Sequence, residues 1–118
     1  MNQNIIFTKL NVDLFPFLAK SLPGRTSRFY AFLYLFEEQI KDYKEFGHYA
    51  LAIPFFIAYQ DLSERWNWDR KTVMEFLQSL HKMGVIEVKR EYRRVTVHIL
   101  NLAIAPPNNS SETNDDST

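Results

Sequence analysis

Residues 69–101 hold a capped amphipathic helix that is followed at once by two alternating segments. Asp69 is a good N-cap residue. The apolar positions behind it repeat at i, i+3, i+4 and i+7, namely Val73, Phe76, Leu77 and Leu80. Gly84 ends this helix. The segments 85–90 and 93–101 are rich in β-branched residues that alternate with polar ones, so the pattern predicts a two-stranded hairpin with a charged tip.

Two helices are predicted nearer the N-terminus. The stretch 14–22 is apolar and aromatic and ends at a Pro-Gly pair, which indicates a short helix with Pro16 in its first turn. Thr26 or Ser27 caps the next helix, whose apolar residues recur at helical spacing. This helix is expected to end near Glu45.

A short strand and one more helix complete the predicted order. Residues 49–53 are more typical of a strand than of a helix, although periodicity alone leaves both possible. A helix is predicted from about Tyr59 to Trp66, and Asn67 with Trp68 supplies a tight turn before the Asp69 cap. Helix, strand, helix, turn, helix and hairpin form the winged helix-turn-helix arrangement, so the sequence predicts an α+β fold with a helical N-terminal part and a two-stranded wing.

Residues 62–102 resemble the winged-helix module of bacterial and phage replication-initiation proteins, the DnaD-like and replisome-organiser families. The matching positions are Leu62, Trp66, Trp68, Lys71, Thr72, Val73, Phe76, Leu77, Leu80, Gly84 and Ile86. The resemblance implies a DNA-binding protein that acts in replication initiation. Many transcription regulators share this skeleton, so transcriptional control, including that of a mobile element, stays open as a second process.

In such a fold the helix that follows the tight turn, here the one capped by Asp69, enters the major groove, and the wing follows the adjacent backbone. The residues predicted to face the bases are Arg70, Lys71, Met74 and Gln78. The residues predicted to contact the backbone from the wing are Lys89, Arg90, Tyr92, Arg93 and Arg94. Double-stranded DNA is therefore the expected partner. A winged helix can also serve only to bind proteins, so an interaction adaptor without DNA binding is the alternative.

The formal net charge of zero conceals two unlike parts. Residues 1–105 contain all 14 Lys and Arg but only 11 of the 14 acids, and residues 106–118 contain the other three acids. The predicted winged-helix domain, 1–105, is thus +3, while the polar stretch 106–118 is −3 and is expected to be a disordered tail. We expect this acidic tail to compete with phosphate for the wing.

Other functional classes have little support in the sequence. The chain has no cysteine, its three glycines are too far apart for a phosphate-binding loop, and its three histidines lack metal-ligand spacing. We expect no catalytic site, no metal and no cofactor. Apolar runs are shorter than the ~20 residues that span a bilayer, and no secretory signal is recognisable, so a cytoplasmic protein without a membrane partner is expected.

The segment 29–36 is apolar on nearly all sides, which is more than a surface helix needs. Two explanations are open. The N-terminal segment 5–22 covers the second face, or a second protomer does so through the aromatic helix Phe29 to Ile40. The second explanation predicts a homodimer, in which the helices capped by Asp69 in the two copies contact successive turns of one duplex.

Overall fold

The computed structural model describes residues 5–20 and 25–105 and shows a mixed α+β fold. The elements in chain order are β1 (Ile5–Thr8), α1 (Leu14–Ala19), α2 (Arg28–Ile40), α3 (Tyr43–Phe46), a 3₁₀ helix (Gly47–Ala52), β2 (Phe55–Ala58), α4 (Tyr59–Trp66), α5 (Arg70–Lys82), β3 (Ile86–Arg90), β4 (Arg94–Ile99) and β5 (Leu102–Ala105). The predicted acidic tail, 106–118, lies outside the described residues.

Three strands form an antiparallel sheet in the order β2-β4-β3. The hairpin of β3 and β4 was predicted, and its register places Val88 opposite Val97. Strand β2 extends this sheet by pairing Ile57 with Val95. A separate ribbon, which the sequence did not predict, joins β1 to β5 near the two ends of the described chain, with Ile6 opposite Ile104.

The core lies between the helices and the inner face of this sheet. Alternate residues of β4 point inward and are almost fully buried, at Val95, Val97 and Ile99. Helix α5 contributes its predicted apolar face, and α4 contributes Leu62 and Trp66. The rings of Trp66, Trp68 and Phe76 pack edge-on or tilted with centroids 4.9–5.6 Å apart. This aromatic cluster fixes how α4, the turn and α5 are oriented relative to one another.

Two helix starts that the sequence predicted are confirmed by their capping bonds. The hydroxyl of Ser27 accepts from the amide of Tyr30 at 3.2 Å, and the carboxylate of Asp69 accepts from the amide of Thr72 at 2.7 Å. Hydrogen bonds from Thr72 also lower the pKa of Asp69. The caps satisfy amides that have no partner inside their own helices.

The predicted strand at 49–53 is wrong, and so is the predicted end of the second helix. Residues 47–52 form the 3₁₀ helix, and the strand follows Pro54. Helix α2 ends at Ile40, and a separate turn of helix, α3, follows it and is closed by Gly47 at φ 65°. The physical reason lies in Gln39, whose buried amide donates to the carbonyls of Ala50 and Ile53 at 3.2 and 2.8 Å. These bonds hold the 3₁₀ helix and Ile53 against α2, and they give the two carbonyls the hydrogen-bond donors that a neighbouring strand would otherwise provide.

The aromatic helix of the sequence corresponds to α2, and its exposure is uneven. Ala31 and Leu35 are fully buried, whereas Phe29 and Tyr30 are 53% and 64% exposed. Helix α1 packs against α2 and contributes the buried Leu14. The N-terminal segment therefore covers part of the second face of α2 and leaves part of it open.

Candidate nucleic-acid interface

A tight turn between α4 and α5 presents the start of α5 to solvent. Asn67 adopts a left-handed conformation with φ 55° and ends α4. The amide of Trp68 donates to the carbonyl of Ser63 at 3.1 Å, and its indole N–H donates to the carbonyl of Thr26 at 2.9 Å. Because Trp68 is almost fully buried, this turn is anchored in the core rather than free in solvent.

The solvent face of α5 carries the predicted base-facing residues, but they differ in exposure. Arg70 and Lys71 are exposed in the first turn, and Gln78 is half-buried two turns further along. Met74 is half-buried and packs against the hydrophobic core, so only part of its side chain faces outward. The exposed acid Glu75 lies on the same side of the helix and reduces the positive charge at its centre.

The hairpin tip is closed by a bond from the amide of Glu91 to the carbonyl of Arg94 at 3.0 Å. Arg94 then folds back, and its Nε donates to the Glu91 carboxylate at 2.9 Å while the guanidinium lies 4.2 Å from the ring centroid of Phe56. Thr96 donates to the second oxygen of the same carboxylate at 3.0 Å. The bonds from Arg94 and Thr96 lower the pKa of Glu91.

The remaining basic residues of the hairpin point in different directions. Successive residues of a strand face opposite sides of a sheet, so Lys89 shares the outer face with Glu87 while Arg90 shares the face of Val88 and Ile86. Lys89 borders a shallow depression of about 330 Å³ on that outer face together with His98. The predicted wing residues therefore do not form a single patch.

A cleft of about 540 Å³ separates the start of α5 from the hairpin tip. The lining residues are Ala58, Tyr59, Gln60, Arg70, Tyr92 and Arg93. Tyr92 is 86% exposed on one rim, and the buried Tyr59 lies beneath the guanidinium of Arg70 at 5.2 Å from its ring centroid. Arg70, predicted to face the bases, thus lines one concavity with Tyr92 and Arg93, which were predicted to contact the backbone.

Sequence reasoning missed the floor and the far wall of this cleft. Tyr59 and Gln60 begin α4 and were taken only as part of a helix that packs onto the core. The amide of Tyr59 donates to the carbonyl of Arg93 at 3.2 Å, which fastens the hairpin tip to α4. The sequence contained no local signal for this contact, because the two partners lie 34 positions apart.

The histidines of the described part of the chain lie on three different elements, the 3₁₀ helix, α5 and β4. His98 contacts the carbonyl of Leu51 through Nε2 at 3.1 Å, and the exposed His48 stacks on Tyr49. Within residues 5–20 and 25–105, no group of three His, Asp or Glu side chains is placed to hold a metal ion. No helix in these ranges is both long and apolar enough to cross a membrane.

Comparison with protein-family models, with curated proteins and with solved structures finds no match to this chain.

Proposed function

We propose that this chain is a winged-helix protein that binds double-stranded DNA, with α5 in the major groove and the tip of the β3–β4 hairpin along the adjacent backbone. The observation that carries the proposal is the cleft between α5 and the hairpin. Arg70 at the start of α5 and Arg93 at the tip border the same concavity, so basic side chains from both elements are presented at one end of the molecule. The three-stranded sheet and the turn between α4 and α5 support the assignment.

Base recognition is assigned to the part of α5 that continues beyond the cleft. Lys71 is exposed and can donate to the acceptors of guanine, and Gln78 can pair with adenine. Met74, packed partly against the core, offers a small apolar surface between them. Such a surface suits a contact with a thymine methyl group.

The process that this binding serves is proposed from the resemblance of residues 62–102 to replication-initiation proteins. Replication initiation is the first assignment, and transcriptional control, including that of a mobile element, is the second. Both processes use the same contacts to duplex DNA, so the DNA-binding test comes before either.

Fluorescence anisotropy of the full chain with a random-sequence duplex tests the proposal. At ~50 mM salt, release of counterions from the phosphates favours binding, and the affinity should fall steeply by ~200 mM. Selection from random oligonucleotides then gives the preferred sequence, on which Gln78→Ala should relax base preference without reducing the salt dependence. No binding at ~50 mM salt overturns the proposal.

The second candidate is a protein-interaction adaptor that has this fold and does not bind DNA. An apolar groove of about 300 Å³ between α1 and α2 favours it. Its lining residues are Leu10, Leu14, Phe15, Leu18, Ala19, Phe29 and Phe32. The groove and the exposed rings beside it, Phe15 and Phe29 at 60% and 53%, offer such an adaptor a surface for a protein partner. A second copy of the chain can also occupy this surface, and that arrangement is compatible with DNA binding. Under a two-fold axis, each copy supplies both the protruding ring and the groove that receives it.

A further inference from the structure

Two arginines from distant parts of the sequence border the cleft without an ion-pair partner in the described chain. The ion pairs within residues 5–20 and 25–105 join Lys41 to Glu38 and Arg94 to Glu91. Neither of them involves Arg70 or Arg93. Positive charge in the cleft is therefore not neutralised by a carboxylate within 4.0 Å, in contrast to the charge of Arg94.

The two guanidinium groups are held by aromatic rings. Arg70 lies over Tyr59 and Arg93 lies over Tyr92, each 5.2 Å from the ring centroid. Contact through the face of a guanidinium leaves the N–H groups at its edge available to donate. These donors suit an oxyanion with several acceptor oxygens, because Arg pairs with phosphate and carboxylate through parallel N–H···O bonds.

The backbone around the cleft fixes the positions of its walls. Arg70 is the first residue of α5, whose N-terminus is already capped by the Asp69 carboxylate, so the positive charge of the cleft comes from the guanidinium groups and not from the end of the helix. The bond from the amide of Tyr59 to the carbonyl of Arg93 keeps the hairpin tip beside that terminus. The amide of Gln60 on the opposite wall donates to the carboxylate of Glu64 at 2.7 Å, so the hydroxyl of the exposed Tyr92 is the further donor that faces the cleft. The walls are thus connected to each other before any ligand arrives.

We infer that Arg70 and Arg93 bind one and the same backbone phosphate of duplex DNA in this cleft, with Tyr92 as an additional donor. This inference rests on the proposed function and changes one assignment within it. Arg70, which the sequence placed among the base-facing residues, becomes a backbone contact shared between α5 and the hairpin. Base reading is left to Lys71, Met74 and Gln78.

A shared phosphate has a thermodynamic signature that separate contacts lack. When two side chains bind a single phosphate, loss of either disrupts the same contact, so the double variant is less impaired than the product of the single effects predicts. The slope of log affinity against log salt decreases by about 0.9 for one phosphate contact, irrespective of base sequence.

The experiment compares Arg70→Ala, Arg93→Ala and the double variant in the full chain. Lys82→Ala is the matched control, since it removes one positive charge from the same helix about 18 Å along the axis from Arg70. Binding is measured by anisotropy over a salt series, on the selected duplex and on a scrambled one. Circular dichroism melts check that every variant folds.

Each single variant should weaken binding to both duplexes by on the order of tenfold and reduce the salt slope by about 1. The double variant should stay within a few-fold of the weaker single variant. Lys82→Ala should have a smaller effect than either arginine. A duplex with one neutral methylphosphonate at the contacted position should reproduce the loss seen with Arg70→Ala and add little to it.

The outcomes separate this inference from the proposed function. If the losses of the two single variants multiply in the double variant, the shared phosphate is overturned while duplex binding stands. The same holds if Arg70→Ala changes base preference without changing the salt slope. Equal losses for Lys82→Ala also overturn it, because they would reflect total charge only. Failure of the native chain to bind any duplex at ~50 mM salt overturns both.

Discussion

Arg94 donates through Nε to the carboxylate of Glu91 at 2.9 Å across the tip of the β3–β4 hairpin. The sequence treated Arg94 and Arg93 as equivalent phosphate contacts. The ion pair makes them different, because the charge of Arg94 is balanced locally while Arg93 faces the cleft. The hairpin tip therefore contains one arginine paired with a carboxylate and one that faces the cleft.

Replacement of Arg93 by Ala should weaken DNA binding several times more than replacement of Arg94. Glu91→Gln should increase affinity a few-fold and steepen the salt dependence, since it removes a negative charge beside the proposed phosphate path and releases Arg94. Anisotropy over a salt series at pH 7 measures all three variants. Equal losses for the two arginines would contradict the distinction drawn from the ion pair.

The cap of α5 predicts how stability responds to acid. Bonds from Thr72 lower the pKa of Asp69 below its ordinary value of 3.8, so the folded state favours the charged carboxylate. The stabilisation is present above the ordinary pKa and is lost as the pH falls through the lowered one. Asp69→Ala should lower the melting temperature at pH 7, and its difference from the native chain should shrink below pH 3.8.

Asp69→Asn is the matched control for this prediction. Asparagine also accepts a hydrogen bond as an N-cap but does not titrate in this range, so this variant should keep most of the stability at pH 7. Thermal melts followed by circular dichroism at several pH values provide the comparison. A difference between Asp69→Ala and the native chain that is constant with pH would show that the charge of the carboxylate does not contribute.

Gln39 is expected to be more important for stability than any exposed polar residue. It is 3% exposed, its amide donates to two carbonyls, and its Oε1 accepts from the amide of Ile99 at 2.9 Å. Gln39→Leu leaves the backbone amide of Ile99 and the two carbonyls without this partner, and it should reduce the free energy of unfolding by about 2–4 kcal/mol. Gln60→Leu, at an exposed position of α4, should change it by less than about 0.5 kcal/mol. Urea denaturation measures both, and similar values for the two would refute this role.

The contribution of Gln39 illustrates what the sequence could predict and what it could not. Helix α5 was predictable because its cap and its apolar spacing lie within one continuous stretch. The segment 47–52 was not, since its short apolar run has no period and its hydrogen-bond partner lies on α2. The pairing of β1 with β5 and the position of Arg70 beside the hairpin tip likewise depend on contacts between residues far apart in the chain. Residue types predicted basic positions on α5 and on the hairpin, but only the fold shows that Arg70 and Arg93 border the same cleft.

The groove between α1 and α2 predicts the behaviour of the chain in solution. If a second copy covers it, light scattering after size exclusion should give about twice the chain mass of 14.0 kDa at high concentration. Phe29→Glu should then convert the protein to a monomer without loss of folding, since Phe29 is 53% exposed. Tyr49→Glu, at another exposed aromatic residue, should remain dimeric. A native chain that stays monomeric at all concentrations removes the dimer from the proposal.

The acidic segment 106–118 is expected to restrain binding to non-specific DNA. It carries three negative charges and the rest of the chain carries a net +3, so the segment can compete with phosphate for Arg93 and the other basic residues. Removal of residues 106–118 should raise affinity for a random duplex a few-fold at ~50 mM salt, and the effect should shrink at ~200 mM as screening increases. The variant that combines Glu112→Gln, Asp115→Asn and Asp116→Asn keeps the length and removes the charge, so it should reproduce the gain. If truncation raises affinity and the neutral variant does not, the segment acts through its bulk; if neither changes affinity, it has no part in DNA binding.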